Sequence, residues 1–174
     1  MYTDEQFYPR WAGELASAKS TVDITYMHGF PPDLNPKKTK KGYYRDFIKV
    51  AQHSKATIRR VDRATKENLA WIKKVAKAFD GKPNLSYAVW VGEHRRLAVQ
   101  TIDEEVTYVV AIGEEETFGI PRDARVRSKD YTRLWRKYYD TMWNDSTNCV
   151  RIVSQGRLHQ DALDKIEADF RGKS

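Results

Sequence analysis

Four lysines form a dense basic run in the first third of the sequence, at Lys37, Lys38, Lys40 and Lys41. A run of this kind can hold the phosphates of a nucleic-acid backbone without reading its sequence. Arg59 and Arg60 follow on a predicted strand and would widen this basic patch. An equally good interpretation is a solvated loop that binds nothing.

A second candidate site lies where the first predicted strand ends. Tyr26 and His28 are two residues apart and would point the same way if the strand continues. The carboxyl ends of strands in α/β sheets often open on a ligand crevice. The spacing therefore predicts a ligand or phosphate contact at Tyr26 and His28, and an ordinary loop histidine is the simpler alternative.

A regular framework of helices and strands has to position these residues. Apolar residues recur at helical spacing in five segments, namely 4–19, 43–54, 65–79, 130–144 and 158–170. Alternating or β-branched segments predict strands over 21–27, 56–61, 85–91, 97–102, 106–112 and 148–154, with a further short strand at 118–120. Thr65 and Asp130 are the predicted N-caps of the third and fourth helices. The order predicts an α/β fold, with a mixed sheet flanked by helices on both faces.

Two finer features of this framework follow from the pattern. Turns at 92–93 and 103–105 predict that the strands over 85–112 form a meander. The apolar stripe of the fourth helix is predicted to consist of Tyr131, Leu134, Trp135, Tyr138 and Met142. Helical spacing assigns most aromatic residues of this helix to core packing or to a dimer face, rather than to base stacking.

Charge and composition narrow the classes of function. The net charge of +7 favours anionic partners. The one cysteine, Cys149, excludes an intrachain disulfide and indicates a reducing, cytoplasmic compartment, where we expect a buried structural thiol. The longest apolar stretch, 106–112, is too short to span a bilayer, so no membrane insertion is predicted. Nucleotide-binding glycine motifs and Cys/His zinc spacings are missing from the sequence, so we predict no cofactor and no metal.

Several segments resemble the phospholipase D superfamily. Residues 11–26 resemble its opening helix, small-residue turn and first strand, and 56–61 resemble the next strand of its sheet. Residues 97–112 resemble the hairpin that bears the catalytic motif, and 131–145 resemble the helix that closes one half. The resemblance covers roughly residues 5–146 and implies a single phospholipase D-like domain over 1–174, with a C-terminal strand and helix added from 147. It extends to the phospholipase D-like sensor or effector domains of some prokaryotic regulators.

The catalytic motif of that family departs from its usual form here. Family members carry a histidine, one spacer, a lysine, four spacers and an aspartate; the histidine attacks phosphorus and the lysine neutralises phosphate oxygens. The nearest match is His94, Arg96 and Asp103, with arginine for lysine and six spacers before the aspartate. Two extra residues shift the aspartate by roughly 7 Å along a strand. We therefore predict that a working motif is absent, and that Arg95 and Arg96 remain candidate phosphate contacts.

The leading hypothesis is a catalytically degenerate domain that binds or senses a phosphate-bearing small molecule or nucleic acid. Because half-size members of this superfamily pair, the resemblance also implies a homodimer. Two alternatives remain open. One is a divergent dimeric phosphodiesterase or nuclease that uses His94, Arg96 and Asp103, and the other is a protein-interaction or defence-system component that uses the fold as a scaffold.

Overall fold

The computed structural model describes residues 4–29, 31, 47–93, 97–111 and 123–171. Within these residues the chain forms one eight-stranded sheet with the order β6-β5-β4-β1-β2-β3-β7-β8. The strands are β1 (Thr21–Tyr26), β2 (Thr57–Arg63), β3 (Leu85–Trp90), β4 (Leu97–Ile102), β5 (Val106–Ala111), β6 (Asp123–Arg127), β7 (Cys149–Ser154) and β8 (Arg157–Leu158). The helices are α1 (Asp4–Ala16), α2 (described over 47–53), α3 (Leu69–Phe79), α4 (Lys129–Trp143) and α5 (Gln160–Arg171).

The centre of the sheet is parallel and its flanks are antiparallel. β1, β2 and β3 run side by side in the same direction. β4 pairs antiparallel with β1, and β7 pairs antiparallel with β3. The carboxyl ends of the three parallel strands, at Tyr26, Arg63 and Trp90, therefore share one edge of the sheet, which we call the carboxyl edge. We call the opposite edge, where these strands begin, the amino edge.

The predicted meander is wrong at its first step. β4, β5 and β6 do form successive hairpins, but β1 and β2 lie between β3 and β4 in the sheet. Every residue of β3 is buried, and a strand that is apolar on both faces needs neighbours on both sides and a cover on each face. β3 obtains this environment between β2 and β7.

The two shortest strands were not predicted, because both lie at the ends of the sheet and carry little apolar pattern. β6 has the sequence Asp-Ala-Arg-Val-Arg, and β8 contains two residues. The strand predicted at 118–120 lies outside the described residues.

Two helix starts differ from the prediction. The Thr65 hydroxyl accepts from the N–H of Asn68 at 3.1 Å in a turn, and α3 begins after that turn at Leu69. α4 is capped by Ser128, whose Oγ accepts from the N–H of Tyr131 at 3.3 Å. Asp130 lies inside the first turn of α4, where its negative charge suits the helix dipole.

Helices cover both faces of the sheet, as predicted. A large apolar core includes Trp11 of α1, Phe47 of α2, Trp71 of α3 and Leu163 of α5. A smaller core lies under α4 on the other face and contains Met27, Val61, Ala88, Trp90, Tyr139, Met142, Trp143 and Cys149. Burial raises the pKa of the Cys149 thiol to about 11, which suppresses its reactivity at neutral pH.

α4 turns a different side to the sheet from the one its apolar pattern predicts. Its buried residues are Thr132, Tyr139, Met142 and Trp143. Of the predicted stripe, Met142 is buried, whereas Leu134 is 62% exposed. Two polar contacts determine which side of α4 faces the sheet. The Thr132 hydroxyl is hydrogen-bonded to the Thr107 hydroxyl at 2.9 Å, and Arg136 donates to the buried Asp23 carboxylate of β1. The apolar arc of α4 is therefore wider than the strip that the sheet covers.

Two further classes of feature are absent from the described ranges. No helix there combines the length and the apolar character needed to cross a bilayer. No three His, Cys, Asp or Glu side chains of those ranges are grouped so that they could hold a metal ion.

Candidate functional site

Two of the predicted contact segments are joined in sequence to strands that end or begin at the carboxyl edge. β1 ends there, and the basic run at 37–41 lies between β1 and α2. β4 runs antiparallel to β1 and so begins at the same edge, directly after 94–96. Lys37, Lys38, Lys40, Lys41, His94, Arg95 and Arg96 themselves lie outside the described residues.

Tyr26 and His28 lie together at this edge. Their ring centroids are 5.0 Å apart with an angle of 47° between the planes. Tyr26 is buried and His28 is half-buried, so the tyrosine supports one face of the imidazole. The geometry is compatible with a ligand contact at His28 and with Tyr26 as its support.

A buried amide fastens the ends of β1 and β2 together. Asn68 is fully buried, and its Nδ2 donates to the carbonyl oxygens of His28 and Arg63, at 3.0 Å each. The Thr65 hydroxyl donates to the Gly29 carbonyl at 3.0 Å. Sequence reasoning missed Asn68; the available signal was a Thr-x-x-Asn turn directly after a strand.

Arg63 also belongs to this edge. It ends β2, and its Nη1 lies 3.7 Å from the position that a Cβ on Gly29 would occupy. A Cβ at residue 29 would therefore make ordinary van der Waals contact with the guanidinium. The described part of the edge thus carries His28 and Arg63 on two backbone segments that Asn68 bonds together.

Arg59 does not lie at the carboxyl edge; it acts as a counterion beneath α4. Its Nε lies 2.7 Å from Oδ1 of Asp23 and its Nη2 lies 2.8 Å from Oδ1 of Asp140. Arg136 binds the other oxygen of Asp23 at 3.1 Å. Burial lowers the pKa of Arg59, but its bonds to Asp23 and Asp140 outweigh that effect, so the pKa lies above its ordinary value. Arg59 therefore serves this cluster beneath α4 and does not reach the carboxyl edge.

Arg60 points to the opposite face of β2, because consecutive strand residues alternate. It is 1% exposed, and its Nε donates to Oδ1 of Asp62 at 2.7 Å. Oδ2 of Asp62 accepts from Trp71 Nε1 at 2.8 Å and from the Tyr87 hydroxyl at 2.9 Å. Arg60 is therefore part of a buried polar network in the core and is not exposed to a ligand.

Asp103 lies at the amino edge, directly after β4. Its Oδ1 accepts from the Ser20 N–H at 2.8 Å and the Ser20 hydroxyl at 2.9 Å, and the Lys19 N–H donates at 3.1 Å. The six residues of β4 span about 20 Å. Asp103 therefore lies about that far from the start of β4, the strand that follows residues 94–96 in the sequence. The structure does not bring Asp103 to the carboxyl edge.

The position four spacers after Arg96, where the family motif places its aspartate, is Thr101. The Thr101 hydroxyl donates to Oδ2 of Asp23 at 3.2 Å, so this position serves the buried cluster beneath α4. Neither Thr101 nor Asp103 supplies a carboxylate at the edge where β4 begins.

The Asp103 carboxylate is expected to stabilise the fold in a pH-dependent way. Burial raises its pKa, but the N–H and hydroxyl donors of residues 19–21 outweigh burial and hold the pKa below its ordinary value. A depressed folded-state pKa contributes stability above the unfolded-state pKa, and this stability is lost as pH falls through the folded-state pKa. We expect Asp103→Asn to lower the urea midpoint at pH 6 and to differ less from wild type at pH 3. Equal destabilisation at both pH values would contradict this role.

Comparisons with known proteins bear on the fold. No protein-family model matches the sequence. No curated protein matches it either. Solved structures do match: NucT from Helicobacter pylori has a TM-score of 0.50 and 13% identity, covering 82% of this chain and 89% of that one. TrmBL2, an archaeal chromatin protein whose structure shows a novel mode of DNA binding, has a TM-score of 0.52 and 12% identity, covering 82% of this chain and 50% of that one.

A third structure, the phosphatidylserine synthase of Haemophilus influenzae Rd KW20, has a TM-score of 0.63 and 9% identity. The match covers 99% of this chain and 42% of the synthase, so this chain spans less than half of that protein. Together with NucT, this likeness confirms the phospholipase D-like fold that the sequence resemblance predicted. At these identities the likeness establishes the fold alone.

Proposed function

We propose that this chain is a catalytically degenerate phospholipase D-like domain that binds a phosphate-bearing ligand, either nucleic acid or a phosphorylated small molecule, at its carboxyl edge. The observation that supports catalytic degeneracy is the position of Asp103 at the amino edge, where it is hydrogen-bonded to residues 19 and 20. The position at which the family spacing would put the aspartate is Thr101, so no carboxylate follows His94 and Arg96 at that spacing. Phosphate binding needs cations and donors but no such carboxylate.

Four observations support a phosphate-bearing ligand. The chain carries a net charge of +7. The lysine run at 37–41 and the arginines at 95 and 96 belong to segments joined to strands at the carboxyl edge. His28 and Arg63 lie at that edge on a backbone fastened by Asn68. TrmBL2, which shares the fold, is a DNA-binding chromatin protein.

Binding should show the salt dependence of phosphate contacts. We expect a fluorescently labelled oligonucleotide to bind with a log K that falls linearly with log salt concentration, with a slope of about −0.9 per phosphate neutralised on duplex DNA. Fluorescence anisotropy between about 50 and 200 mM salt measures this, and nucleotides and inorganic phosphate serve as competitors. Failure of all these ligands to bind would refute the proposal, and salt-insensitive binding to a protein alone would favour a scaffold role.

A dimeric phosphodiesterase or nuclease is the second candidate. The match to an enzyme, phosphatidylserine synthase, over 99% of this chain favours it. In that case His94 would be the nucleophile and Arg96 the phosphate clamp. Cleavage of DNA, RNA and bis-p-nitrophenyl phosphate by wild type, lost in His94→Ala, would establish this function and overturn the degenerate assignment. Our proposal expects no such activity in either protein.

Two further properties belong to the same proposal. We propose that the domain works as a homodimer and that it acts in the cytoplasm. The second part is supported by its single, buried cysteine, which suits a reducing compartment.

A further inference from the structure

The outer face of α4 carries an exposed apolar residue between aromatic and charged neighbours. Leu134 is 62% exposed and, with Val91, is one of two exposed large hydrophobic residues in the described ranges. Trp135 packs edge-on against Tyr131 and Tyr138, with ring centroids 6.1 and 5.6 Å apart. A leucine and aromatic side chains grouped on one outer helix face can form a contact surface, because protein interfaces are enriched in aromatic residues.

The residues around Leu134 are arranged in two flanks. Residues three or four apart share a helix face, so Tyr131 and Tyr138 lie on one side of Leu134. Asp130 and Lys137 lie on its other side, and both are exposed. We call these five residues the α4 outer face.

We infer that the α4 outer face docks a second copy of this chain, with the two α4 helices antiparallel about a twofold axis at Leu134. Positions 130 and 138 lie four residues before and after 134. In an antiparallel pair centred on 134, residue 130 of one helix therefore lies level with residue 138 of the other. The twofold axis places the tyrosine flank of one helix against the tyrosine flank of the other, and the charged flank against the charged flank. Asp130 then lies beside Lys137 of the partner subunit, and Tyr131 beside Tyr138 of the partner subunit. Each contact occurs twice.

Charge complementarity favours a second copy over a nucleic acid at this surface. The Asp130 side chain is 92% exposed, and its contact with Arg133 at 3.3 Å is between two exposed groups, which contributes little. A phosphate backbone would be repelled by Asp130, whereas an antiparallel copy offers it a lysine. The twofold axis thus pairs Asp130 with Lys137, Tyr131 with Tyr138 and Leu134 with its own copy.

The size of the surface sets the expected affinity. One helix face on each subunit buries less than the roughly 1,200–2,000 Å² of a stable standard interface. We therefore expect a reversible monomer–dimer equilibrium in the micromolar range. The inference deepens the proposed homodimer by naming its surface, and its test contains no phosphate ligand. Failure of ligand binding and failure of this interface are thus separate results.

The test is sedimentation equilibrium on the full chain over about 5–200 µM. We expect wild type to dimerise with a concentration-dependent mass. Asp130→Lys and Lys137→Asp should each weaken dimerisation at least about tenfold, because each puts like charges at both contacts. An equimolar mixture of the two variants should dimerise about as well as wild type, since both contacts of the mixed dimer are again opposite in charge.

Leu134→Glu tests the apolar centre, and Val91→Glu is its matched control at the other exposed apolar residue. We expect the first to be monomeric and the second to dimerise like wild type. Far-UV circular dichroism checks that each variant is folded. A monomeric wild type at every concentration, an undiminished dimer in Leu134→Glu, or a mixture that does not regain dimerisation would each overturn the inference.

Discussion

Replacing Asp62 by alanine is expected to destabilise the folded chain by about 3–5 kcal/mol, the usual cost of removing one partner of a buried ion pair. Asp62 is fully buried and accepts from three donors, Arg60, Trp71 and Tyr87. The substitution leaves the Arg60 charge in the core without this carboxylate and removes the acceptor of two further polar groups. The desolvation cost of these groups then counts against the folded state.

The net effect of the carboxylate differs from the effect of deleting it. Burial raises the pKa of Asp62, and the donors from Arg60, Trp71 and Tyr87 counteract this only in part. The pair therefore contributes little net stability compared with apolar residues of similar volume, although its disruption is costly. We expect the double variant Asp62→Leu with Arg60→Met to be more stable than Asp62→Ala alone.

Urea unfolding followed by tryptophan fluorescence measures these differences. The control is Glu105→Ala, which removes the exposed ion pair with Arg127 and should change stability by less than about 1 kcal/mol. If Asp62→Ala were as stable as this control, the buried network would have no role in holding β2, β3 and α3 together.

Reversing the charge of the lysine run is expected to lower oligonucleotide affinity about 100-fold or more at about 50 mM salt. It should also make the salt slope less steep by about 3–4, since each lost phosphate contact contributes about 0.9. The variant carries glutamate at Lys37, Lys38, Lys40 and Lys41. The physical reason is that each lysine releases a counterion when it neutralises a phosphate, and a glutamate repels that phosphate instead.

A matched variant separates a local contact from a change in net charge. It carries glutamate at four lysines that are exposed and lie on the amino edge or on α3 and α5, namely Lys55, Lys77, Lys82 and Lys165. Both variants have a net charge of −1 in place of +7. We expect the control to lose much less affinity and to keep a steeper salt slope. Equal losses in the two variants would mean that the lysine run is not the binding surface.

Local pattern was enough to predict most of the framework. The alternating or continuous apolar segments of β1, β2, β3, β4, β5 and β7 were found in the sequence, as were the helices, because burial of one face imposes a period that is visible in the residues themselves. The resemblance to phospholipase D added the correct fold. The order of strands was not available locally, since nothing in 85–102 records that β3 and β4 are separated by β1 and β2.

The roles of the charged residues were decided by tertiary structure. Arg59 and Arg60 read as one basic patch in the sequence, yet alternation along β2 sends them to opposite faces, where Asp23 and Asp62 bind them. A counterion from a distant part of the chain leaves no local signal. In α4 the sequence determined a wide apolar arc, but the contacts of Thr132 and Arg136 decided which part of it faces the sheet.

The motif around His94 also shows which features the sequence determines and which the tertiary structure determines. The sequence by itself determined that six residues stand between Arg96 and Asp103, and that they form a strand. Only the folded chain decided what Asp103 binds: the hairpin turn after β4 delivers its carboxylate to the N–H groups that follow α1. The physical reason is that a strand separates its two ends by its full length, while hydrogen-bond donors from elsewhere in the chain determine which end holds the charge.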